Sequence, residues 1–587
     1  MSTNVKRYAG DFETTTDPND VRVWASCMVD IETGKTAFIG NDIESFFEYL
    51  KPRNSIVYFH NLKFDGEFIL SYLLSHGYTH SDTREPKTFD TLITDSGVFY
   101  SLTVYFAKKN KKHRKVTFYD SLKKLPFKVS VIAEAFELVD RKLSIDYTAP
   151  RPKGHVLTPE EVEYIVADCR IVAQALNIQF GKGLKKMTNA SDAMGDYKER
   201  IGKNYFEKWF PSFPIELDAD IRRAYKGGFT YVNPRFQNQR IKGGLTFDVN
   251  SLYPWAMYYC MLPYGYPMYF EGEYEPDPSF PLYIARIRCE FKLKEGHIPT
   301  IQLKNNRAFI ETEYLESSNG EIVEMTLTSV DMSLLLDHYD TPYLEWVCGW
   351  KFRAITGLFK PYIDYWMHIK ETTTGAMRQL AKLMLNSLYG KFATNPKSRK
   401  KLPMLDHDGV VRYTYSDIEY REPVYTAVGA FITAYAREKT IRTSQKVYDR
   451  YLYSDTDSIH IKGYDIPEGL EIHATRLGAW KLEGVFVDSL FVRPKTYIET
   501  LCKKTKDSLR EYCRILNDRS DVWRMPDGYI YHTTETKEKV TCAGMPDNLK
   551  TLVTYNNFHS GSTFEGKLMP KRFKGGVVLM PYTFTIK

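Results

Sequence analysis

The sequence predicts a multidomain protein of mixed α/β and α+β class. Three observations carry this. At 587 residues the chain is several domains long, with ample length for large buried cores. Apolar strands ending in acidic residues recur far apart, at Tyr8–Thr16, Thr246–Pro254 and Tyr453–His460. Helical stretches lie between them, most clearly after Thr158 and from Lys370 to Gly390.

Composition narrows the class. Hydrophobic residues make up 43 % and aromatics 14 %, as in a folded, soluble protein. No apolar run approaches the roughly 20 residues a membrane span needs, so no membrane role is expected. Met1–Arg7 lacks the apolar core of a signal peptide. The eight cysteines are scattered without a Cys-x-x-Cys pair, against structural zinc and a disulfide framework, and for a reducing cytoplasm. Net charge is 80 − 73 = +7, which permits a polyanionic partner without requiring one.

From the N-terminus, Tyr8–Thr16 reads as a strand with Asp11 and Glu13 on one face. Ile56–Phe59 is an apolar strand leading to His60 and Asn61, and Asn61 and Asp65 follow at helix-turn spacing with Phe64, Phe68 and Ile69 as an apolar stripe. Lys108–Lys115 is a basic run, either a solvated hairpin tip or a neutraliser of DNA backbone. Thr158-Pro159-Glu160-Glu161 opens a helix with capping-box spacing and Pro at its first position. Tyr164 and Asp168 lie four apart on it and share a face; Lys142 and Tyr147 precede it. Asp11, Glu13, Asp65 and Asp168 form a set suited to two metal ions and phosphodiester hydrolysis, with Tyr164 orienting water; Lys142 is either a contact to the scissile phosphate or a plain surface lysine.

Residues from about 189 to 220 look like a join, with Pro211 and Pro214. Tyr225-Lys226-Gly227-Gly228-Phe229 follows; paired glycines allow close backbone approach, here to a template strand or in a simple turn. The Thr246–Pro254 strand delivers Asp248, then Tyr253, placed to shut out a sugar 2′-hydroxyl or to pack in a core. Residues 261–358 are aromatic and β-rich, like an inserted domain.

Lys370 to Gly390 is predicted as one helix stopped at Gly390. At 100° per residue, Arg378, Lys382, Asn386 and Tyr389 fall in one sector, which suits a triphosphate and a stacked base. A polar stretch from Lys397 to Glu422 reads as a hairpin insertion, and a helix near 427–448 leads to Tyr453–His460. That stretch reads as two short strands joined by a tight turn, and alternation along extended chain lets Asp455 and Asp457 point together with Thr456 turned aside. Crowded carboxylates favour a hard cation, and a third, Asp248, completes what a two-metal site with ions about 4 Å apart needs. Lys495 and Tyr497 are predicted on one side of a strand, near a primer end. Lys567, Lys571, Arg572 and Lys574 make the C-terminal segment basic.

Taken together, these motifs resemble the family B DNA polymerases of protein-primed bacteriophages, the phi-twenty-nine class. The resemblance runs the whole length. Asp-Phe-Glu-Thr-Thr, His-Asn-Leu-Lys-Phe-Asp and the Tyr164/Asp168 helix match its exonuclease motifs, and Tyr225–Phe229 its Tyr-x-Gly-Gly motif. Asp-Val-Asn-Ser-Leu-Tyr-Pro, Lys-Leu-Met-Leu-Asn-Ser-Leu-Tyr-Gly, Tyr-x-Asp-Thr-Asp-Ser and Lys-Thr-Tyr match its polymerase motifs.

The resemblance implies a ribonuclease H-like 3′–5′ exonuclease domain (1–189) and a right-hand polymerase. The latter comprises palm (190–260 and 425–529), fingers (359–394), thumb (530–587) and insertions at 261–358 and 395–424. It implies processive, strand-displacing, protein-primed replication of a linear viral genome, with proofreading. Two magnesium ions per active site, with manganese as a substitute, are expected on Asp248, the Val249 carbonyl, Asp455 and Asp457, and on Asp11, Glu13, Asp65 and Asp168. Lys370, Arg378, Lys382, Asn386, Tyr253 and Tyr389 are expected at the nucleotide, and His60, Asn61, Phe64, Tyr225, Gly227, Gly228, Lys495 and Tyr497 at DNA. Expected partners are template/primer DNA, dNTPs, a terminal protein and a single-stranded-DNA-binding protein, met by a monomer in the host bacterial cytoplasm. Two positions depart from the family pattern: Arg378 replaces an expected Lys, and Ser144 an expected acid.

Overall fold

A computed structural model describes residues 5–109, 112–302, 314–506, 522–525 and 529–587. The N-terminal part is built on an eight-stranded sheet. Its middle strand, Lys6–Thr14, runs antiparallel to Val23–Asp30 and parallel to Ser55–Phe59. Alternate residues go to opposite faces, as strand geometry requires. Tyr8 and Phe12 pack with Phe59 and Phe68 of the Leu62–Ser75 helix. Ala9, Cys27 and Tyr58 pack with the Pro159–Gly181 helix on the other side. That second helix begins as expected. The Thr158 hydroxyl accepts the Glu161 N–H, the Glu161 carboxylate accepts the Thr158 N–H, and Pro159 needs no donor there. The strands Phe99–Lys109 and Lys112–Asp120 form the hairpin expected around the basic run. The tip at 110–111 lies outside the described residues, as do the side chains of 108–113.

A second eight-stranded sheet gathers strands from Thr230 to Cys542. Arg240–Val249 sits inside it between Trp480–Arg493 and Ser458–Lys462. The expected boundary at 529/530 falls inside a strand: Tyr529–Cys542 pairs along Thr496–Lys506, so the sheet continues to Cys542. Residues 261–358 carry their own four-stranded sheet and the helix Ser329–His338. Residues 395–424 carry the hairpin Lys401–Leu405/Val411–Tyr415.

The predicted single helix from Lys370 to Gly390 is three. Lys360–Thr372 ends at extended Thr373 and Thr374, and Gly375–Ser387 starts afresh with Gly375 at φ +51. Three successive threonines, stiff at χ1 and poor helix formers, break the run. Gly390 is no stop; it lies within the short helix Tyr389–Phe392. The Thr426–Lys446 helix is buried along most of its length and leads into Tyr451–Asp455. Among the described residues no helix is long and apolar enough to cross a membrane.

Candidate active sites

The first site is a cavity of about 240 Å³ lined by Asp11, Glu13, His60, Asn61, Phe64, Asp65, Lys142, Tyr164 and Asp168. A strand, a helix start and a second helix converge to supply these residues. Burial, then Asp168, pushes Asp11 up to about 7 from an ordinary 3.8. Burial, then Asp11, holds Glu13 and Asp65 well above the usual carboxylate range. Burial also raises Asp168, against the pull of Lys142. Lys142 ion-pairs with Asp168 and lies 3.2 Å from the Tyr164 hydroxyl, which also bonds the Tyr147 hydroxyl. The other Asp168 oxygen, Oδ1, is buried without a hydrogen-bond partner.

The entrance to this cavity is anchored by residues that sequence reasoning missed. His60 is fixed through Nδ1 to Ser121 Oγ (2.9 Å) and through Nε2 to the Phe127 carbonyl (2.8 Å). Asp120 Oδ1 accepts the Asn61 N–H at 3.1 Å, holding Asn61 at φ +73. These anchors lie about sixty residues from what they hold, beyond any local pattern.

The second site is a cleft of about 760 Å³ lined by Asp248, Val249, Ser251, Tyr253, Lys370, Arg378, Lys382, Asn386, Tyr389, Asp457 and Lys481. Asp248 pairs across the sheet with Ser458, and the Val249 N–H donates to the Asp457 carbonyl at 2.8 Å. Burial, then Asp457, pushes Asp248 up to about 7. Burial raises Asp457 too, with Asp455 adding to it. Facing these acids, Lys370 is lowered by burial and by Arg378 and Lys382. Its ammonium donates to Ser251 Oγ at 2.9 Å. Although the helix is broken, Lys370, Arg378, Lys382, Asn386 and Tyr389 still line one cleft, because the Arg378 guanidinium donates to the Lys370 carbonyl across the break. Tyr253 and Tyr389 stack with centroids 4.0 Å apart.

Two expectations need correction. The two short strands and the tight turn are as read, but Asp455 and Asp457 do not share extended chain: Asp455 ends one strand, and Thr456, at φ +60, turns the chain before Ser458 starts the next. Asp455 is engaged by Lys495, whose Nζ lies 2.9 Å from both carboxylate oxygens. Lys495 and Tyr497 are not side by side on a strand either. Lys495 sits in the turn before the strand at φ +58, while Tyr497 is buried against Tyr453, Phe491 and His460. Behind the acidic turn, a Cβ on Gly228 would lie 2.6 Å from Thr456 Oγ1. The Lys226 and Gly227 carbonyls accept from Arg437, which is itself paired with buried Asp331. Tyr225, beside them, is raised by burial and by Tyr389.

Among the described residues no three acidic, histidine or cysteine side chains already stand as a metal cluster. The donor chemistry nevertheless fits hard cations at both places. Carboxylates crowd one another there, two of them are pushed up to about 7, and Asp168 Oδ1 is orphaned.

Comparison with known proteins places this geometry. The family model for DNA polymerase type B, organellar and viral, matches residues 48–151 and 143–474. The chain is 46 % identical over 584 residues to the DNA polymerase of Bacillus phage B103, covering 99 % of this chain and 100 % of that one. It is 45 % identical over the same length to the DNA polymerase of Bacillus phage phi29, covering 99 % of each. The solved structure of Phi29 DNA polymerase with primer-template DNA superposes with a TM-score of 0.92 at 43 % identity, covering 99 % of this chain and 100 % of that one. With two acidic pockets, one walled by cations, on a phi29-type fold, the chain belongs to the organellar and viral type B DNA polymerases and is a DNA-directed DNA polymerase of the phi29 type.

Proposed function

We propose that this polymerase replicates a linear viral genome by processive, strand-displacing synthesis from a protein primer, and edits its 3′ ends at the first site. One observation carries the two-site reading: two separate pockets hold carboxylates that burial and mutual repulsion have pushed up to about 7, and only one of them faces a wall of cations.

In the cleft, Asp248 and Asp457, with the Val249 carbonyl, would hold two magnesium ions, or manganese in their place. Asp455, which is held by Lys495 and is not among the residues lining the cleft, would complete the acidic set from beside Asp457. When bound, the ions neutralise charge on the attacking and leaving oxygens. Lys370, Arg378 and Lys382 hold the triphosphate, and the Tyr253–Tyr389 stack lies where sugar and base must enter. The primer 3′-hydroxyl attacks the α-phosphate in line, and pyrophosphate leaves. Lys495 and the Tyr225–Gly228 segment grip primer and template. In the first site, Asp11, Glu13, Asp65 and Asp168 would hold the second ion pair. His60, Asn61 and Phe64 seat a frayed 3′ end, Tyr164 orients water, and Lys142 meets the scissile phosphate.

Support for DNA and dNTPs as partners comes from the relatives: Phi29 DNA polymerase has been solved with primer-template DNA and incoming nucleotides. The terminal protein, a single-stranded-DNA-binding protein, action as a monomer and work in the host bacterial cytoplasm complete the proposal. The test is a primed circular template with magnesium, dNTPs and a blocking downstream strand. Extension that displaces the blocker supports the reading; extension that stops at the blocker refutes strand displacement. Transfer of one deoxynucleotide onto a co-purified protein's hydroxyl tests protein priming, and its absence with every candidate protein of the source virus refutes it.

A further inference from the structure

The stretch that reads as a join in the sequence opens with the helix Asn189–Ile201, and this helix grips Lys360–Thr372, the helix that carries Lys370. The grip has two points. At the start of Lys360–Thr372 the Tyr197 hydroxyl donates to the Leu358 carbonyl at 3.0 Å, and the Tyr197 ring stacks on Phe359 with centroids 4.8 Å apart. Further along, Asp196 Oδ2 accepts the indole N–H of Trp366 at 2.8 Å. The same carboxylate is held by Arg200, through Nε at 2.8 Å and Nη2 at 3.0 Å. The Arg200 guanidinium in turn lies over the Tyr365 ring, 3.5 Å from its centre.

Trp366 is only 4 % exposed, so removing the carboxylate would leave its N–H unpaired in a dry place, which is costly. Lys370 stands four residues on, about 40° around the same helix and one turn along it. Rotation of the helix about its axis, which the Trp366 bond resists, is therefore the motion that would swing Lys370 across the cleft. About 10° of rotation moves a side-chain end roughly 6 Å from the axis by about 1 Å, enough to break a hydrogen bond of ordinary length. The end of this helix also seats a second cation, because the Lys370 carbonyl accepts from Arg378. The Tyr362 hydroxyl, donating to the Met384 carbonyl at 2.7 Å, joins the two helices that carry these cations. Neither Asp196 nor Trp366 lines the cleft itself.

We propose that Asp196 is a positioning residue for the incoming nucleotide: by holding the Trp366 indole it fixes the rotation of the Lys360–Thr372 helix, and with it Lys370 and Arg378 at the triphosphate. The proposal rests on the reading of Lys370 and Arg378 as triphosphate contacts. Lys370→Ala, measured alongside, separates failure of one from failure of the other.

The experiment uses the full chain and measures KM and kcat for addition of one deoxynucleotide to a primed template with magnesium. Trp366→Phe keeps a buried ring and deletes the donor. It should raise KM for the nucleotide about tenfold, the scale of one hydrogen bond to a charged group, and leave kcat within about twofold of the parent. Asp196→Leu should do the same, whereas Asp196→Asn, whose carbonyl still accepts the indole N–H, should keep KM within about threefold. That pair carries the same test without touching the buried ring. Combining Asp196→Leu with Trp366→Phe should raise KM no further than Asp196→Leu alone, because both remove one bond. Digestion of a single strand should stay within about twofold in every variant, and thermal melting confirms that each is folded. An unchanged KM in folded Trp366→Phe or Asp196→Leu overturns the proposal. So does a parallel fall in digestion, or a loss carried wholly by kcat, since neither is the signature of a misplaced triphosphate contact. If Lys370→Ala leaves KM unchanged, the triphosphate reading falls and takes the proposal with it. If Lys370→Ala raises KM while Trp366→Phe does not, the proposal alone is overturned.

Discussion

Asp248 shows what crowding does to an acid. It lies in an apolar strand, faces Asp457, and is pushed up to about 7. Asp11 reaches the same value in the other pocket. Both carboxyls hold their proton more tightly in the folded chain than in the unfolded one. Without a cation they stabilise the fold at acid pH and lose that contribution as pH rises from 3.8 through about 7. A divalent ion reverses this above about 7 and competes with protons below it. Magnesium should therefore raise the melting temperature more at about pH 8 than at about pH 6; an equal or larger rise at the lower pH would contradict it. Tyr253 supports a second expectation. Tyr253→Val removes a ring stacked at 4.0 Å on Tyr389, and ribonucleotide incorporation relative to deoxynucleotide should rise about tenfold or more. An unchanged ratio in single-turnover assays would assign the ring to packing. The acids were legible in the sequence because metal chemistry restricts residue type and strand ends restrict spacing. Lys481, Asp120 and Asp196 were not, because each acts through partners remote in the chain and carries no local signature.

Elements whose ends are written in side-chain chemistry were legible: Thr158, Pro159 and Glu161 open their helix as read. The break at Thr373–Thr374 was missed because the apolar and basic pattern runs on through it, while the threonines that stop the helix were not weighed. The acidic turn teaches the same lesson. The tight turn between two short strands was legible, but alternation does not carry across it: Thr456 at φ +60 interrupts the extended chain, and Lys495 takes Asp455. The turn is braced from behind, where the Thr456 N–H donates to the Phe229 carbonyl and Gly228 lies against the Thr456 side chain. Gly228→Ala must therefore displace the turn. Primer extension should fall about tenfold to a hundredfold, the cost of misplacing a reacting group by a fraction of an ångström to an ångström. Digestion of single strands should be untouched, and equal losses in both assays would contradict the bracing.

On the scale of the whole molecule, order along the chain was readable and closure was not. The acidic motifs announced two lobes. No local pattern foretold that strands from Thr230 to Cys542 share one sheet, or that hairpins some 160 residues apart meet at Val410 and Lys574. Such pairings are decided by which apolar faces remain to be covered after local structure has formed. The same long-range assembly keeps the two acidic pockets on separate sheets, each with its own donors.

That separation is tested most directly by assaying synthesis on a primed template and digestion of a single strand with the same preparations of two variants. Asp248→Ala should abolish synthesis and spare digestion, while Asp11→Ala should abolish digestion and spare synthesis. If either change, in a folded protein, removed both activities, the two pockets would not be independent active sites.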